Sequence, residues 1–187
     1  VKQGDTQMTI VGLIVAALFF FASQAPPLQE LAPKRPLSKL FCASVLISVG
    51  GQFVVHLSSL LYVLELCSDH MVKDDPLMVP DGDFHPNILN SIVFILSAWM
   101  QLNTFAVNYC GRPFTQPLLD NKPLWYTLLG SWVALVLVSL DVIPPLRSIL
   151  QLVPLPATGA FRFKLLAVLF ANLGGAWAIE QVARWAQ

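Results

Sequence analysis

Charge is scarce in this sequence. Eleven Lys and Arg balance eleven Asp and Glu among 187 residues, 12% of the chain. Soluble domains carry about twice that share. The formal net charge is zero, so there is no basic face of the kind a nucleic acid needs, and that class of partner is excluded. Cysteine is also rare. Cys42, Cys67 and Cys110 stand far apart, with no two at zinc spacing and with placements that predict no internal disulfide. His56, His70 and His85 are scattered. The phosphate-cradling G-x-x-x-x-G-K-[ST], the nucleophile elbow G-x-S-x-G and the zinc helix H-E-x-x-H are all missing. So is any Asn-x-Ser/Thr acceptor. The run "DDPLMVPDGDFH" holds four carboxylates without the alternating ligands of a calcium loop, and reads as a solvated acidic loop. No catalytic residue and no metal site is expected within the chain. It begins at Val1 with no basic leader and no small-residue cleavage site, which reads as a piece of a longer protein cut just upstream of a membrane span.

Apolar residues are abundant instead: 56% of the chain, with a mean hydropathy of +0.66. They fall into five runs, Gly4–Ala22, Leu40–Leu64, Ile88–Asn108, Leu124–Leu140 and Phe163–Ile179. Each is close to the ~20 residues that a helix needs to cross the hydrocarbon. None alternates as a barrel strand does. The fold class is an all-α membrane protein with five transmembrane helices. The expected segments are span one at 1–24, a loop at 25–39, span two at 40–66, an acidic loop at 67–87 and span three at 88–108. A loop at 109–123, span four at 124–140, a Pro-rich loop at 141–162, span five at 163–180 and a tail at 181–187 follow. Lys34, Arg35 and Lys39 place the first loop in the cytosol, together with 109–123 and the C-terminus. The acidic and Pro-rich loops are then luminal. The Pro-rich loop is too short to span twice, and is expected to lie on the membrane surface or to pack against helix ends.

Polar residues inside such helices carry the functional signal. Span three holds Ser97, Gln101, Thr104 and Asn108, spaced by four, three and four, so they form one line on a helix. Asn90 extends it. Helix–helix adhesion requires fewer polar groups than that, and the line reads as the wall of a polar cavity or substrate path. In span one Asp5, Thr9 and Gly12 share a face with Gln7 to one side, and Asp5 is the only carboxylate expected within a span's depth. Ser48, Gln52, His56 and Ser59 in span two read as adhesion between helices, with His56 neutral and hydrogen-bonded to a neighbouring helix. Asn172 beside Gly174 and Gly175 reads as packing. Span four is nearly bare of polar groups and is expected at the periphery.

Several stretches carry a resemblance. "PLQELAPKRPL" at 27–37, "QFVVH" at 52–56, "NTFAVNYCGRPF" ending at Phe114 and "DNKPLW" at 120–125 are similar to the membrane half of the P-type ATPases of the fifth class, subclass A. "GDTQMTIVGL" resembles the opening of that family's sixth helix. The resemblance implies that the five spans are helices six to ten of a pump that extracts misplaced transmembrane helices from the endoplasmic reticulum membrane. ATP and Mg would bind in cytosolic domains upstream; the chain has no D-K-T-G phosphorylation motif and no cofactor site. The implied partners are the lipid bilayer, a transmembrane-helix polypeptide and the upstream remainder of the same pump. The substrate-binding residues expected on this basis are Asp5, Gln7, Thr9, Gln101, Thr104 and Asn108. A cation or polyamine pump of the sister subclass and a stand-alone membrane chaperone or scaffold remain as alternative readings.

Overall fold

The computed structural model describes residues 2–29, 41–71, 84–156 and 158–186. The basic cluster Lys34, Arg35 and Lys39 and most of the acidic loop, including Asp74, Asp75, Asp81 and Asp83, lie outside the described residues. The elements are α1 (Asp5–Ser23), α2 (Ala43–Ser68), α3 (Ile88–Asn108), α4 (Lys122–Ser139), the short α5 (Pro144–Ile149) and α6 (Gly159–Trp185). Five of these, all but α5, are long and apolar enough to cross a membrane. No strand occurs among the described residues, only an isolated bridge between Pro27 and Thr115.

Local chemistry sets the helix starts. Asn87 caps α3 by accepting the Asn90 amide at 2.7 Å. Asn121 caps α4 by accepting from Leu124 N, and Pro123 follows in the first turn, where a missing N–H costs nothing. Such caps satisfy amides that have no partner within the helix. Helix α6 is 27 residues long, about 40 Å, against a hydrocarbon core of ~30 Å. It begins before and ends after the expected span, so Arg162 and Arg184 are helical residues as well.

Helix α3 is the centre of the bundle. Half of its most apolar window is buried, against 11% for α1 and for α2, so α3 touches helices on most sides while α1 and α2 keep wide apolar faces that this chain does not cover. Phe94, Ile95, Leu96 and Trp99 form its inner face. Phe53, Val54, Leu57 and Leu61 of α2 remain outside this bundle. Helix α2 packs against α6 along most of its length. The pairing is antiparallel: Ser48 meets Glu180, Gly51 meets Ile179, Val55 meets Gly175 and Ser59 meets Asn172. Two glycines make this approach possible. A Cβ on Gly51 would lie 2.5 Å from Ile179 Cγ2, and one on Gly175 would lie 3.0 Å from Val55 Cγ1. Close approach of this kind is how helices gain packing energy in lipid.

The 141–156 segment closes one end of the bundle. Of the two placements expected for it, the structure shows packing against helix ends. Leu150, Leu152 and Leu155 are buried. Val153 N donates to Ser91 Oγ at 3.0 Å. Asp141, at a left-handed φ of 54° that suits Asp or Asn, receives Arg147 at 2.7 Å on both carboxylate oxygens and lies 3.6 Å from Arg162. Arg162 also donates to Leu140 O at 2.8 Å. At the opposite end Asn121 Nδ2 donates to Phe21 O at 2.9 Å and Leu28 N to Phe114 O at 3.2 Å. Residues 24–29 and 109–121 therefore share that end.

Two predictions follow from this packing. In the full-length protein, Gly51→Leu should destabilise the fold by about 1–3 kcal/mol through overpacking against Ile179. Gly50→Leu, at a site with nothing within 4 Å, should be nearly neutral; thermal unfolding monitored by size exclusion separates the two. Asp141→Leu removes a charge-assisted pair and a side chain suited to the left-handed turn, and should cost about 2 kcal/mol. Protease sensitivity within 141–158 should rise, with Asp141→Asn retaining more order than Asp141→Leu.

Candidate substrate cleft

The polar line on α3 is covered at one end and open at the other. Asn90 is 1% exposed. It accepts from Gln7 Nε2 at 3.2 Å and donates to Lys2 O. Gln7, wholly buried, also donates to Leu150 O at 3.0 Å and accepts the Gly4 amide at 3.1 Å. Gln7 thus ties the start of α1, the start of α3 and the 141–156 segment together. Further along, Ser97 is half-buried, while Gln101, Thr104 and Asn108 are exposed.

The six residues singled out from sequence do not meet in one cavity. Gln101 lines a largely apolar cleft of 220 Å³ between α1, α3 and α4, with Ile10, Ile14, Ala98, Ser131 and Ala134 among its walls. Thr104 and Asn108 line a second cleft of 550 Å³ with Phe19, Ala22 and Thr115. Phe19 closes edge-on against Phe105, with ring centroids 4.7 Å apart. Asp5 and Thr9 are exposed on α1. They project from the side away from Gln7, as the 100° step per residue requires, and neither lines a described cleft with the α3 residues.

Asn108 belongs to a junction as well as to a cleft. Its amide pairs reciprocally with that of Gln52, at 2.9 and 3.1 Å. Gln52 Nε2 also reaches Ser48 Oγ at 3.0 Å. Ser48 donates to Glu180 Oε2 at 2.6 Å, and Arg184 Nε donates to Glu180 Oε1 at 3.0 Å. Glu180 is an intrahelical carboxylate, 13% exposed on its side chain. Asp5 is the carboxylate singled out from the sequence; Glu180, the last residue of the expected span 163–180, packs against α2 within a helix that continues to Trp185.

A second junction lies deeper. Asn103 Nδ2 donates to Asn172 Oδ1 at 3.0 Å, and Trp132 Nε1 donates to Asn103 Oδ1 at 3.1 Å. Asn172 Nδ2 donates to Ser59 Oγ at 2.9 Å and faces His56 Nδ1 at 3.0 Å. The span-two residues and Asn172 therefore act between helices. Asn103 was not singled out because it lies off the α3 line; its signal was a mid-helix amide with a matching Asn172 on the last span. Helix α4, expected to be bare and peripheral, contributes Trp132 to this junction and packs against α1 and α3.

No protein-family model matches the chain. Curated relatives do. A protein of Arabidopsis thaliana described as a probable manganese-transporting ATPase is 38% identical over 186 residues, the whole of this chain and 15% of the relative. The endoplasmic reticulum transmembrane helix translocases of Schizosaccharomyces pombe and Saccharomyces cerevisiae are 36% and 33% identical, over 98% and 96% of this chain and 15% of each relative. The chain belongs to the P-type ATPases of the fifth class, subclass A. A human polyamine-transporting ATPase is also similar, at 31% identity over 96% of this chain and 15% of its own length. The chain spans about 15% of the length of these ATPases, and its five long apolar helices fit a membrane portion of such a pump. The relatives' names diverge on what is carried, so the cargo must be argued from the cleft residues.

The deeper junction yields a prediction. Asn172→Leu should lower stability by about 1–2 kcal/mol, the scale of interhelical hydrogen bonds in membranes. Asn103→Leu combined with Asn172→Leu should cost less than the sum of the single changes, because each single variant strands the other's amide. Thermal unfolding of the two singles and the double in detergent checks this; strict additivity would show that the pair does not act as a unit.

Proposed function

We propose that this chain is part of the membrane domain of an ATP-driven translocase of the endoplasmic reticulum membrane that extracts misplaced transmembrane helices. It supplies supporting helices and one wall of the substrate cleft. ATP, Mg and the phosphorylated Asp belong to domains outside the chain, which carries none of their motifs. The names of the Schizosaccharomyces and Saccharomyces relatives support the reading, and so does one structural observation: the open part of the α3 line is neutral.

Gln101, Thr104 and Asn108 offer amides and a hydroxyl, with no carboxylate among the residues that share their clefts. A dehydrated cation requires strong oxygen donors, usually charged ones. Glu180 is committed to Arg184, Ser48 and Gln52 and is directed at α2. Among the described residues no group of three His, Cys, Asp or Glu side chains is placed to hold a metal ion. Neutral hydrogen-bonding groups suit a polypeptide instead. They can pair with polar side chains and frayed backbone of a helix, and can hold water between turnovers, avoiding the cost of unpaired amides in hydrocarbon.

The test uses Gln101→Leu with Thr104→Val in the full-length pump. Both side chains are exposed, and the Thr104 hydroxyl bonds only to Met100 O of its own helix; the fold should be spared. Extraction of a mislocalised helix in proteoliposomes should fall about fivefold or more, the effect of leaving one polar group of the cargo unmatched. Basal autophosphorylation should persist. Unchanged extraction together with loss of a manganese- or polyamine-stimulated ATPase activity would replace this reading with that of a small-cation pump.

A further inference from the structure

A cleft of 710 Å³ opens between α3, α4 and α6 at the end of the bundle that holds 109–121, and none of the residues discussed as substrate contacts lines it. Its walls are largely apolar, with Leu118, Trp132, Phe170, Leu173 and Trp177 beside the polar Tyr109 and Gln181. Phe170 and Trp177 are more than half exposed, so this chain leaves the cleft open on their side. Gly174 lines it and has nothing within 4 Å of a Cβ position, whereas the adjacent Gly175 is closed against Val55. One glycine of the pair thus serves packing against α2, and the other keeps the cleft open.

Arg112 and the ion-paired Arg184 line the same cleft. Arg112 is exposed on the 109–121 loop, and its guanidinium has no partner among the described residues. Arg184 is 45% exposed on its side chain and is fixed across the mouth by its bonds to Glu180 Oε1 and to Val107 O at 3.2 Å. The other oxygen of Glu180 is turned to α2, and Glu180 is not among the lining residues. The sequence assigns this end to the cytosolic leaflet, where anionic lipids reside and where basic pockets between helices hold lipid headgroups. The volume lies within the ~300–1,000 Å³ of small-molecule sites, too little for a second helix.

We propose that this cleft is a binding site for an anionic phospholipid, with the phosphate between Arg112 and Arg184 and an acyl chain along Trp132, Phe170 and Gly174. Charge complementarity at the mouth selects the headgroup. The apolar slot selects a membrane lipid over a soluble anion, which would leave the walls unused. A zwitterionic lipid would fill the slot but gain less at the mouth, because its own cation opposes the guanidinium groups.

The full-length pump, reconstituted in nanodiscs, is tested with photoactivatable phosphatidylinositol and phosphatidylcholine of matched acyl chains. The phosphatidylinositol probe should label peptides covering 106–118 and 170–184, and excess soluble inositol phosphate should not displace it. Arg112→Glu should lower this labelling about fivefold or more, the factor that one basic contact at an anionic surface supplies, while Arg112→Lys should retain most of it. Gly174→Phe should remove labelling from 170–184. Equal labelling by phosphatidylcholine, displacement by the soluble headgroup, or undiminished labelling of Arg112→Glu would each overturn the assignment. Because Arg112 is exposed on a loop, its variants report on binding without disturbing the helix packing.

Discussion

In hydrocarbon, an apolar side chain gains little by touching another helix rather than an acyl chain, so close packing and polar groups without other partners must hold a bundle together. The Asn103–Asn172 hydrogen bond meets this condition most fully. Both side chains are almost completely buried, and between them they engage Trp132, Ser59 and His56. Four helices, α2, α3, α4 and α6, therefore converge on two amides. The glycines at 51 and 175 let α2 and α6 approach closely enough for those amides to be reached from the α2 side. The junction at Gln52, Asn108 and Glu180 repeats the arrangement nearer the membrane boundary, where Arg184 offsets the carboxylate's charge.

Helix α1 is held by different means. Few of its residues are buried, Gln7 and Leu18 among them, and its polar attachments to the bundle lie at its two ends. Gln7 fixes one end to Asn90 and Leu150 O, and Asn121 fixes the other at Phe21 O. Between these anchors the contacts with α3 and α4 are apolar and incomplete, and the 220 Å³ cleft lies there. A helix pinned at its ends and loosely packed along its middle is suited to form a cleft wall, since its central contacts can be exchanged for others without unpairing a buried polar group. The two clefts beside α1 are also where Gln101, Thr104 and Asn108 are found.

The helices were legible in the sequence because apolar runs of spanning length leave the backbone few other ways to satisfy its hydrogen bonds. Their polar faces were legible only in part. Periodicity placed Asn90, Ser97, Gln101, Thr104 and Asn108 on one line, and they are on one line. It could not show that Gln7 and the 141–156 segment cover the Asn90 end, because that depends on tertiary contacts across 83 and 143 residues. The role of Glu180 was hidden because its contact with α2 depends on pairing across 132 residues. Asp141, Arg147 and Arg162 were hidden in a Pro-rich loop whose order comes from an ion-pair cluster rather than from any repeat. The absence of a shared cavity for Asp5, Thr9 and the α3 residues has a geometric origin: Gln7 must face inward to make its bonds, and a helix that turns residue 7 inward turns 5 and 9 outward.

The same geometry gives the α3 line its meaning. A polar group on a membrane helix must be paired, wet or in contact with cargo. Asn90 and Asn103 are paired within the bundle. Asn108 is paired with Gln52 and still borders open space. Gln101 has no interhelical partner among the described residues and sits in a largely apolar cleft that Ser131 also lines. Along α3, the line is bonded to other elements at Asn90 and at Asn108, and between them Gln101 and Thr104 are exposed without a partner on another helix. An adhesive stripe would show the reverse, since each amide unmatched by a neighbouring helix weakens adhesion. Exposure is what a path requires, because groups already saturated by the protein have nothing to offer a passing polypeptide. Gln101 and Thr104, lacking partners on other helices, are thus the positions on α3 where a substrate can gain hydrogen bonds without first breaking those that hold the bundle.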